Sequence, residues 1–557
     1  MSRRFLTACC ITCWLLTISL LLLAQDELRY PSADAASYVG IAMSAKAGNY
    51  AAFANPYWSP LYPVLLFLFL PSDLSQGLPQ VGMLVLQGVL LTALIGSFAY
   101  FVTGISRLEV RSRANTLWLG LVSFLFFLAF HIKMYLVTYT PDTLVAVLIF
   151  CALGLISRSL WSENHMRLNI VLGGVLAAGY WAKAVYFPAS VLLLGWLFVT
   201  RWQAKLPLRP ALAGAAVFLL LSAPLIWMTS LAAGRPTFGE SGRLNYGWSV
   251  NRYEMHMGWH GVEPGSGKPL HPPRVLFQNP LVLEFAEPGA GSFPLWDNPA
   301  QWHQGMQTHV SVPGILAALQ RNLTAIVRPV FFWLALALPA FFMGGGTSAG
   351  SLRRLGKYSC LWLWPLAVIA FYCLVAIETR YLTPLAVASV VSLLWLCPLH
   401  SSLARMAFGL QLATVAIASG WMLYTCFPSR TRSDTLDSRW SYEKALGEYL
   451  RSHGLHRGDL LANVGDLDST FFAQSVGVQI SSWVKKPKPQ ELTPEKWSNI
   501  VGQWRNRSIA AVISKCRDGN ESIDSIAAGV AVCSSPLASS IGLERVPGTP
   551  YFVKMLR

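Results

Sequence analysis

Long apolar runs are the feature that most limits what this chain can fold into. Each run approaches the roughly 20 residues that a helix needs to cross a hydrocarbon core, and shorter runs suffice where protein covers their ends. Charged residues make up only 13% of the 557 residues, about half the share of a soluble domain. About eleven such runs lie near residues 5–24, 81–103, 115–131, 143–157, 168–182, 187–200, 211–230, 327–345, 358–376, 382–397 and 405–425. The sequence therefore predicts an all-α polytopic membrane domain.

Two of these runs allow alternatives. The stretch 168–200 is broken by Lys183 and Pro188, so it forms either a helical hairpin or one kinked span. Residues 1–24 resemble a signal peptide because Arg3 and Arg4 precede an apolar core. That core is long and has no clean small-residue cleavage site before Gln25, which favours an uncleaved first span.

The distribution of basic residues predicts the orientation. Short cytoplasmic loops are enriched in Lys and Arg. With the N-terminus inside, 14 basic residues fall in inner segments and 5 in short outer loops, so most of the net charge of +16 reflects topology. The predicted protein is a multi-pass protein of the bacterial inner membrane, with a cytoplasmic N-terminus and an extracytoplasmic C-terminal domain.

Two long hydrophilic segments fall on the predicted outer side. The C-terminal one, residues 427–557, alternates short apolar runs with amphipathic stretches, which predicts a soluble α/β domain. Cys516 and Cys533 lie in it, and an oxidising compartment would permit a disulfide between them. The predicted transmembrane domain covers residues 1–425 and includes outer loops 25–80 and 231–325.

Loop 231–325 is rich in Gly, Pro, Trp and His, and long ordered loops of this kind are usually functional. Aromatic planes suit the apolar faces of sugar rings, and polar side chains suit the hydroxyl rims. Candidate acceptor or sugar-binding residues in this loop and in the first outer loop are Tyr38, Tyr62, Asn245, Tyr246, Trp259, His260 and His271.

Four outer segments carry ionisable residues at the edges of spans, where charge is costly and usually functional. They contain Asp34, Asp142, Lys183 and Arg380. A structural role is also open for three of them: Asp142 follows Pro141 and could cap a helix, while Lys183 and Arg380 could extend toward the membrane surface. Asp34 has no comparable capping position. The predicted topology brings all four segments to one face.

Together these segments resemble the GT-C glycosyltransferase superfamily. The resemblance covers about residues 1–400. It rests on the order of D-A-x-x-Y after the first span, an aromatic P-L-Y-P segment, Pro-Asp at the fourth span, Lys183, and E-x-R-Y-x-x-P near the end. The most similar groups are dolichyl-phosphate-mannose protein mannosyltransferases, lipid A aminoarabinose transferases and RgtA/B/C/D-like enzymes. The fold class implied is a GT-C-like domain of about 11 transmembrane helices with a C-terminal soluble α/β domain.

The resemblance implies an enzyme that moves a sugar from a polyprenyl-phosphate donor to a lipid, glycan or protein acceptor at the outer face. Asp34 would match the first-loop carboxylate that activates the acceptor, with Asp142 as a second catalytic candidate. Arg380, Lys183 and Tyr381 would bind the donor phosphate. A transporter or flippase of a lipid-linked or anionic solute, and a surface-glycan polymerase or ligase, are the alternatives. The charge pattern gives no reason to expect nucleic acid as a partner.

A metal cofactor is possible but is not supported by ligand spacing. Members of the superfamily often carry a second acidic residue near the first-loop Asp, whereas this chain has Ala33 and Ala35 beside Asp34. A divalent ion would require more oxygen ligands than this arrangement supplies. The sequence therefore predicts no metal site.

Overall fold

A computed structural model gives the architecture of most of the chain. The described residues are 2–24, 33–74, 78–108, 113–136, 139–161, 165–254, 259, 261–285, 298–324, 349–396, 442–465, 471–484, 493–515 and 542–556.

Helices dominate the first 400 residues. Those of the membrane part are α1 (Arg3–Leu23), α2 (Ala33–Lys46), α3 (Leu61–Phe69), α4 (Gln80–Ile105), α5 (Arg113–Tyr135), α6 (Asp142–Ser159), α7 (Met166–Ala182), α8 (Tyr186–Gln203) and α9 (Arg209–Ala233). After them come α10 (Ser241–Ser249), α11 (Pro299–Trp302), α12 (312–324), α13 (Ala349–Lys357), α14 (Ser359–Cys373) and α15 (Thr379–Leu396).

The chain spans a membrane several times. In the described part, five helices, namely α1, α4, α6, α9 and α15, are long and apolar enough to cross, and the bent pair α13 and α14 is a sixth candidate. Helices also occupy the predicted runs near 115–131, 168–182 and 187–200, so the stretch 168–200 forms two helices rather than one. The runs predicted at 327–345 and 405–425 lie outside the described residues.

Close helix packing depends on small residues, because apolar lipid provides little hydrophobic force between helices. A Cβ added to Gly173 on α7 would lie 2.2 Å from the carbonyl oxygen of Gly214 on α9. A Cβ on Gly214 would in turn lie 2.6 Å from the carbonyl oxygen of Asn169. The backbones of α7 and α9 can approach this closely only with glycine at both positions.

An aromatic cluster joins α4, α5 and α6. The ring of Phe98 stacks on that of Phe127 at 4.3 Å and meets Phe150 edge-on at 5.2 Å. Phe98 and Phe150 are fully buried, and Phe127 is nearly so. This packing holds the start of α6, which carries Asp142, against the rest of the bundle.

A seven-stranded sheet forms the soluble part. Its strands are β1 (Arg274–Gln278), β2 (Leu281–Glu284), β3 (Leu460–Val464), β4 (Gln479–Val484), β5 (Ile509–Lys515), β6 (Glu544–Arg545) and β7 (Tyr551–Met555). The order is β1-β2-β4-β3-β5-β7-β6, with β3 parallel to β4 and β5 and the other pairs antiparallel. Helices α16 (442–452), α17 (Phe471–Val476) and α18 (Pro494–Arg505) accompany it.

The α/β character predicted for the C-terminal segment is confirmed. Thr493 caps α18 by accepting a hydrogen bond from the Lys496 N–H, and Pro547-Gly548 separates β6 from β7. The sheet also takes two strands from loop 231–325, since β2 pairs with β4 in the register Val282 to Val484. The two long hydrophilic segments thus lie on one side of the membrane. Which side that is, and the boundary between the two predicted domains, stay predictions.

Candidate active site

The ends of four segments meet at one point. Asp34 lies in the first turn of α2, and Asp142 is the first residue of α6. Lys183 lies in the break between α7 and α8, and Arg380 with Tyr381 opens α15. Helix N-termini present unsatisfied N–H groups, so carboxylates are stabilised at the starts of α2 and α6. The meeting of these segment ends brings both acids and both cations into one cluster.

Asp142 is the most connected member of this cluster. Its side chain is 4% exposed and accepts 2.6 Å hydrogen bonds from Lys183 Nζ and from Thr140 Oγ1. Arg380 Nε lies 3.5 Å from the Asp142 Oδ2. A buried charge is tolerated only when it is paired and hydrogen-bonded. Asp142 therefore orients two cations, whereas the N-cap position of α6 belongs to Pro141 and carries no side-chain capping bond.

Asp34 is bound to the same arginine. Arg380 Nη2 donates to Asp34 Oδ2, and their side chains are 21% and 29% exposed. The same Nη2 lies 3.2 Å from the Tyr381 hydroxyl. Arg380 thus bridges the two carboxylates, and Asp34 is the more accessible of the two.

Tyr381 adds a cation–π contact. Lys183 Nζ lies 3.2 Å from the centroid of its ring, and the Arg380 guanidinium carbon lies 5.2 Å from it. Such contacts are worth about 2 kcal/mol where the groups are desolvated. The ring keeps the two cations close together despite their mutual repulsion.

A pocket opens beneath this cluster. Asp142, Lys183 and Arg380 line its polar end, beside Tyr381. Its other walls are mainly apolar and aromatic: Val145, Ile149, Val185, Tyr186, Ala189, Trp364, Val368, Tyr372, Pro384 and Leu385. A cavity with cations at one end and apolar walls beyond suits an amphiphile with an anionic head.

Aromatic residues of the first outer loop border the acids. The Tyr38 ring lies 5.0 Å from that of Trp58 and 5.6 Å from that of Tyr62, both edge-on. Tyr38 and Tyr62 are buried, and the Tyr62 hydroxyl has no hydrogen-bond partner in the described part of the chain. They form the wall behind Asp34 rather than an open surface.

Tyr57 was not among the predicted site residues, although it lies three residues before the P-L-Y-P segment that begins at Pro60. Burial raises the pKa of Tyr57, a hydrogen bond from Asn245 lowers it in part, and the charge of Asp34 raises it further. The phenol therefore stays protonated and keeps a proton to donate. Asn245 Nδ2 lies 3.3 Å from its hydroxyl, which links loop 231–325 to the site.

A buried carboxylate fastens this loop. Glu240 is 2% exposed and pairs with Arg235 at 2.6 Å and with Arg243 at 2.5 Å. Its backbone N–H donates to the Pro56 carbonyl at 2.7 Å, next to Tyr57. Burial would raise the pKa of Glu240, but Arg243 and Arg235 lower it below its usual value. Glu240 thus holds the two outer loops together as an ionised side chain.

The remaining predicted loop residues lie away from the acids or within the loop core. Trp259 is 3% exposed and stacks on His303 with centroids 5.8 Å apart, while Tyr246 is half-buried. His271 is exposed and pairs with Gln304 at 2.8 Å. His260, Cys516 and Cys533 lie outside the described residues, so their roles stay predictions.

Within the ranges that the structure describes, no three His, Cys, Asp or Glu side chains come together as metal ligands. Asp34 and Asp142 face Lys183 and Arg380 instead.

No known sequence family matches the chain, and no characterised protein matches it by sequence. The solved structures that match by fold include two of ArnT from Cupriavidus metallidurans. The form bound to undecaprenyl phosphate superimposes with a TM-score of 0.50 at 13% identity, covering 99% of this chain and 97% of ArnT. The apo form gives 0.52 and 13%, covering 98% of each.

This chain has the GT-C fold of ArnT. The match confirms the predicted fold class, which was a polytopic helical domain followed by a soluble α/β part. It extends over nearly the whole of both chains, so the soluble part belongs to the shared architecture as well. At this identity the ArnT likeness establishes the fold, and the chemistry has to be argued from the side chains.

Proposed function

We propose that this protein is a membrane glycosyltransferase that moves a sugar from a polyprenyl-phosphate donor to an acceptor on the outer face of the inner membrane. The observation that carries the proposal is the cluster of two cations and two carboxylates, of which Asp142, Lys183 and Arg380 also line an apolar-walled pocket. ArnT, whose fold this chain shares, has been solved with undecaprenyl phosphate bound. That ligand has the same anionic head and apolar tail that the pocket suits.

In the proposed reaction, an acceptor hydroxyl attacks the anomeric carbon of the donor sugar. A new bond forms from the acceptor oxygen to that carbon as the bond from the carbon to the phosphate oxygen breaks. Asp34 takes the acceptor proton as general base, and the leaving group is the polyprenyl phosphate. Attack opposite to the leaving group inverts the sugar configuration.

Arg380 and Lys183 would stabilise the charge that develops on the leaving phosphate. Arginine matches phosphate through its planar fork, and lysine contributes a point charge. Arg380 is also bound to Asp34. Donor phosphate competes for the same guanidinium, so its binding would release Asp34 to meet the acceptor.

The first experiment replaces Asp34 with Asn. Transfer is measured in membranes supplied with a lipid-linked sugar, with E448Q as a matched control because Glu448 is an exposed acid of the soluble part. We expect a loss of about 10²–10⁴-fold for D34N, the usual contribution of a positioned base, and none for E448Q. Undiminished transfer by D34N would refute the role of Asp34.

The second experiment separates donor binding from catalysis. R380A should weaken binding of polyprenyl phosphate, because its fork is lost, while K444A changes an exposed lysine and serves as the control. Unchanged donor affinity in R380A rules out the phosphate role. Supplying the sugar on a lipid monophosphate and on a lipid diphosphate distinguishes transfer of this kind from the polymerase or ligase alternative.

A further inference from the structure

The soluble part touches the helix that carries Asp34. Gln474 on α17 donates a 2.7 Å hydrogen bond from Nε2 to the backbone carbonyl of Ala36. The two residues are 438 positions apart in the sequence. Ala36 lies only two residues after Asp34, in the same turn of α2, and is 2% exposed. A side chain of the soluble part therefore binds the backbone beside the proposed base.

Helix α17 packs against both the membrane part and the sheet. Phe471 is 1% exposed and belongs to the same buried apolar cluster as Ala35 and Tyr38 of the membrane part. The next residue, Phe472, is fully buried in the core of the sheet. Its backbone N–H donates to the buried carboxylate of Glu443 at 3.2 Å. Helix α17 is packed into the core of the membrane part and into the core of the sheet. A shift of the sheet would therefore move α2 as well.

Helix α2 is held at its start by the bond from Arg380 to Asp34 and, from the soluble part, by the bond from Gln474 to Ala36. Its first turn presents small side chains, with Ala35 and Ala36 beside Asp34, and methyl groups make few directional contacts. A carbonyl oxygen has two lone pairs, so Ala36 can accept from Gln474 in addition to a helical N–H. The Gln474 Oε1 is buried without a partner in the described part of the chain. An unpaired buried amide oxygen costs free energy, and the hydrogen bond from Gln474 Nε2 to Ala36 offsets that cost.

We infer that Gln474 is a positioning residue: its bond to the Ala36 carbonyl holds the first turn of α2 so that Asp34 faces the acceptor. The soluble part thereby sets the activity of a site to which its described residues contribute no catalytic side chain. The inference rests on the proposed function, since it assumes that Asp34 acts as the base. Gln474 leaves the cations untouched, and Lys183, Arg380 and Asp142 keep their mutual bonds without it.

The test replaces Gln474 with Leu, which has similar volume but no donor. Q503L is the matched control, because Gln503 is an exposed glutamine on α18 of the same sheet domain. In the full-length protein, Q474L should lower kcat about tenfold or more, since small displacements of a catalytic group are costly. The KM for the lipid donor should change less than about twofold, because the phosphate ligands are intact. Loss of both together, or of neither, would overturn the inference.

Hydrogen exchange at the amides of residues 37–42 gives a readout that does not depend on transfer. Exchange there should be faster in Q474L than in wild type and unchanged in Q503L. Where Q474L fails to fold, Q474N serves instead, since its shorter side chain keeps the amide but cannot reach Ala36. Unaltered exchange in the folded variant refutes the contact. If wild type transfers no sugar at all, the proposed function fails, while exchange still decides whether Gln474 holds α2.

Discussion

Asp142 contacts both cations of the candidate active site. It holds Lys183 at 2.6 Å and lies 3.5 Å from Arg380, so both cations depend on its charge for their position. Asp34 makes one such contact and is about seven times more exposed, 29% against 4%. We therefore propose different tasks for the two acids, one orienting and one reactive.

Replacing Asp142 with Asn should destabilise the protein more than D34N does. It leaves Lys183 without its buried partner, and breaking a buried ion pair in this way costs about 3–5 kcal/mol. Thermal unfolding in detergent measures the loss. T140V is the control, since it removes only one hydrogen bond to Asp142, worth about 1 kcal/mol. Equal stability of D142N and T140V would contradict the orienting role.

Two substitutions of Tyr381 distinguish the contribution of its ring from that of its hydroxyl. Y381F keeps the face over which Lys183 lies and loses only the contact between its hydroxyl and Arg380. Y381L loses both, and we expect donor binding to weaken about 30-fold, the equivalent of the roughly 2 kcal/mol of one desolvated cation–π contact. Titration with polyprenyl phosphate measures the difference. A Y381F variant as weak as Y381L would show that the hydroxyl, not the ring, matters.

At the scale of elements, the long apolar helices were predictable and the short ones were not. The periodicity and length of the runs sufficed for α4, α6 and α9. Helix α2 mixes Asp, Ser and Gly with apolar residues, and α3 has only nine residues, so neither shows the signal of a span. Their helical form depends on packing against the bundle, which no local pattern reveals.

The hairpin of β1 and β2 had a local signal that was missed. Two apolar runs, Arg274–Gln278 and Leu281–Glu284, flank the turn residues Asn279-Pro280, which is typical of paired strands. Its partner β4 begins at Gln479, about 200 residues later, and pairing over such a distance is invisible to sequence periodicity.

The loop element built on Glu240 should respond to pH. Because its pKa is lowered in the folded state, its ion pairs contribute stability above the unfolded value of about 4.3. That contribution is lost as the pH falls through the folded pKa. Limited proteolysis of residues 231–254 between pH 7 and pH 3 should show increasing cleavage in wild type.

An E240Q variant provides the comparison. It should be cleaved faster than wild type at pH 7, since Arg235 and Arg243 lose their partner, and its susceptibility should change less with acidification. If the wild-type loop became more resistant to protease cleavage as the pH falls, the predicted direction of the pH effect would be wrong.

At the scale of the whole molecule, the convergence of the site was predictable from topology. Helix ends that emerge on one face bring Asp34, Asp142, Lys183 and Arg380 near each other even when they are hundreds of residues apart. The position of the soluble part over α2 was not predictable, because it depends on long-range contacts such as that between Gln474 and Ala36. The sheet shared by loop 231–325 and the C-terminal segment was not predictable either, because β2 and β4 pair over about 200 residues of sequence.

The shared sheet should be sensitive to Ser482. This buried side chain donates to the Leu283 carbonyl and accepts from Trp504 Nε1, both at 2.8 Å, so it joins the hairpin to the C-terminal core. S482A leaves the Trp504 indole unpaired and should cost about 1–3 kcal/mol. Urea unfolding followed by tryptophan fluorescence measures the shift, with exposed S452A as the reference. A midpoint equal to that of S452A would show that the bond does not hold the sheet.

The pairing of β2 with β4 also has a temporal consequence. A ribosome makes β2 about 200 residues before β4, and α15 has to enter the membrane between the two events. Until the C-terminal segment has been made and lies on the same side of the membrane, the hairpin has no partner strand and α17 has not reached α2. The first turn of α2, which carries the proposed base, is therefore the last part of the site to be fixed in position. We expect a nascent or truncated chain inserted in the membrane to transfer no sugar from its donor.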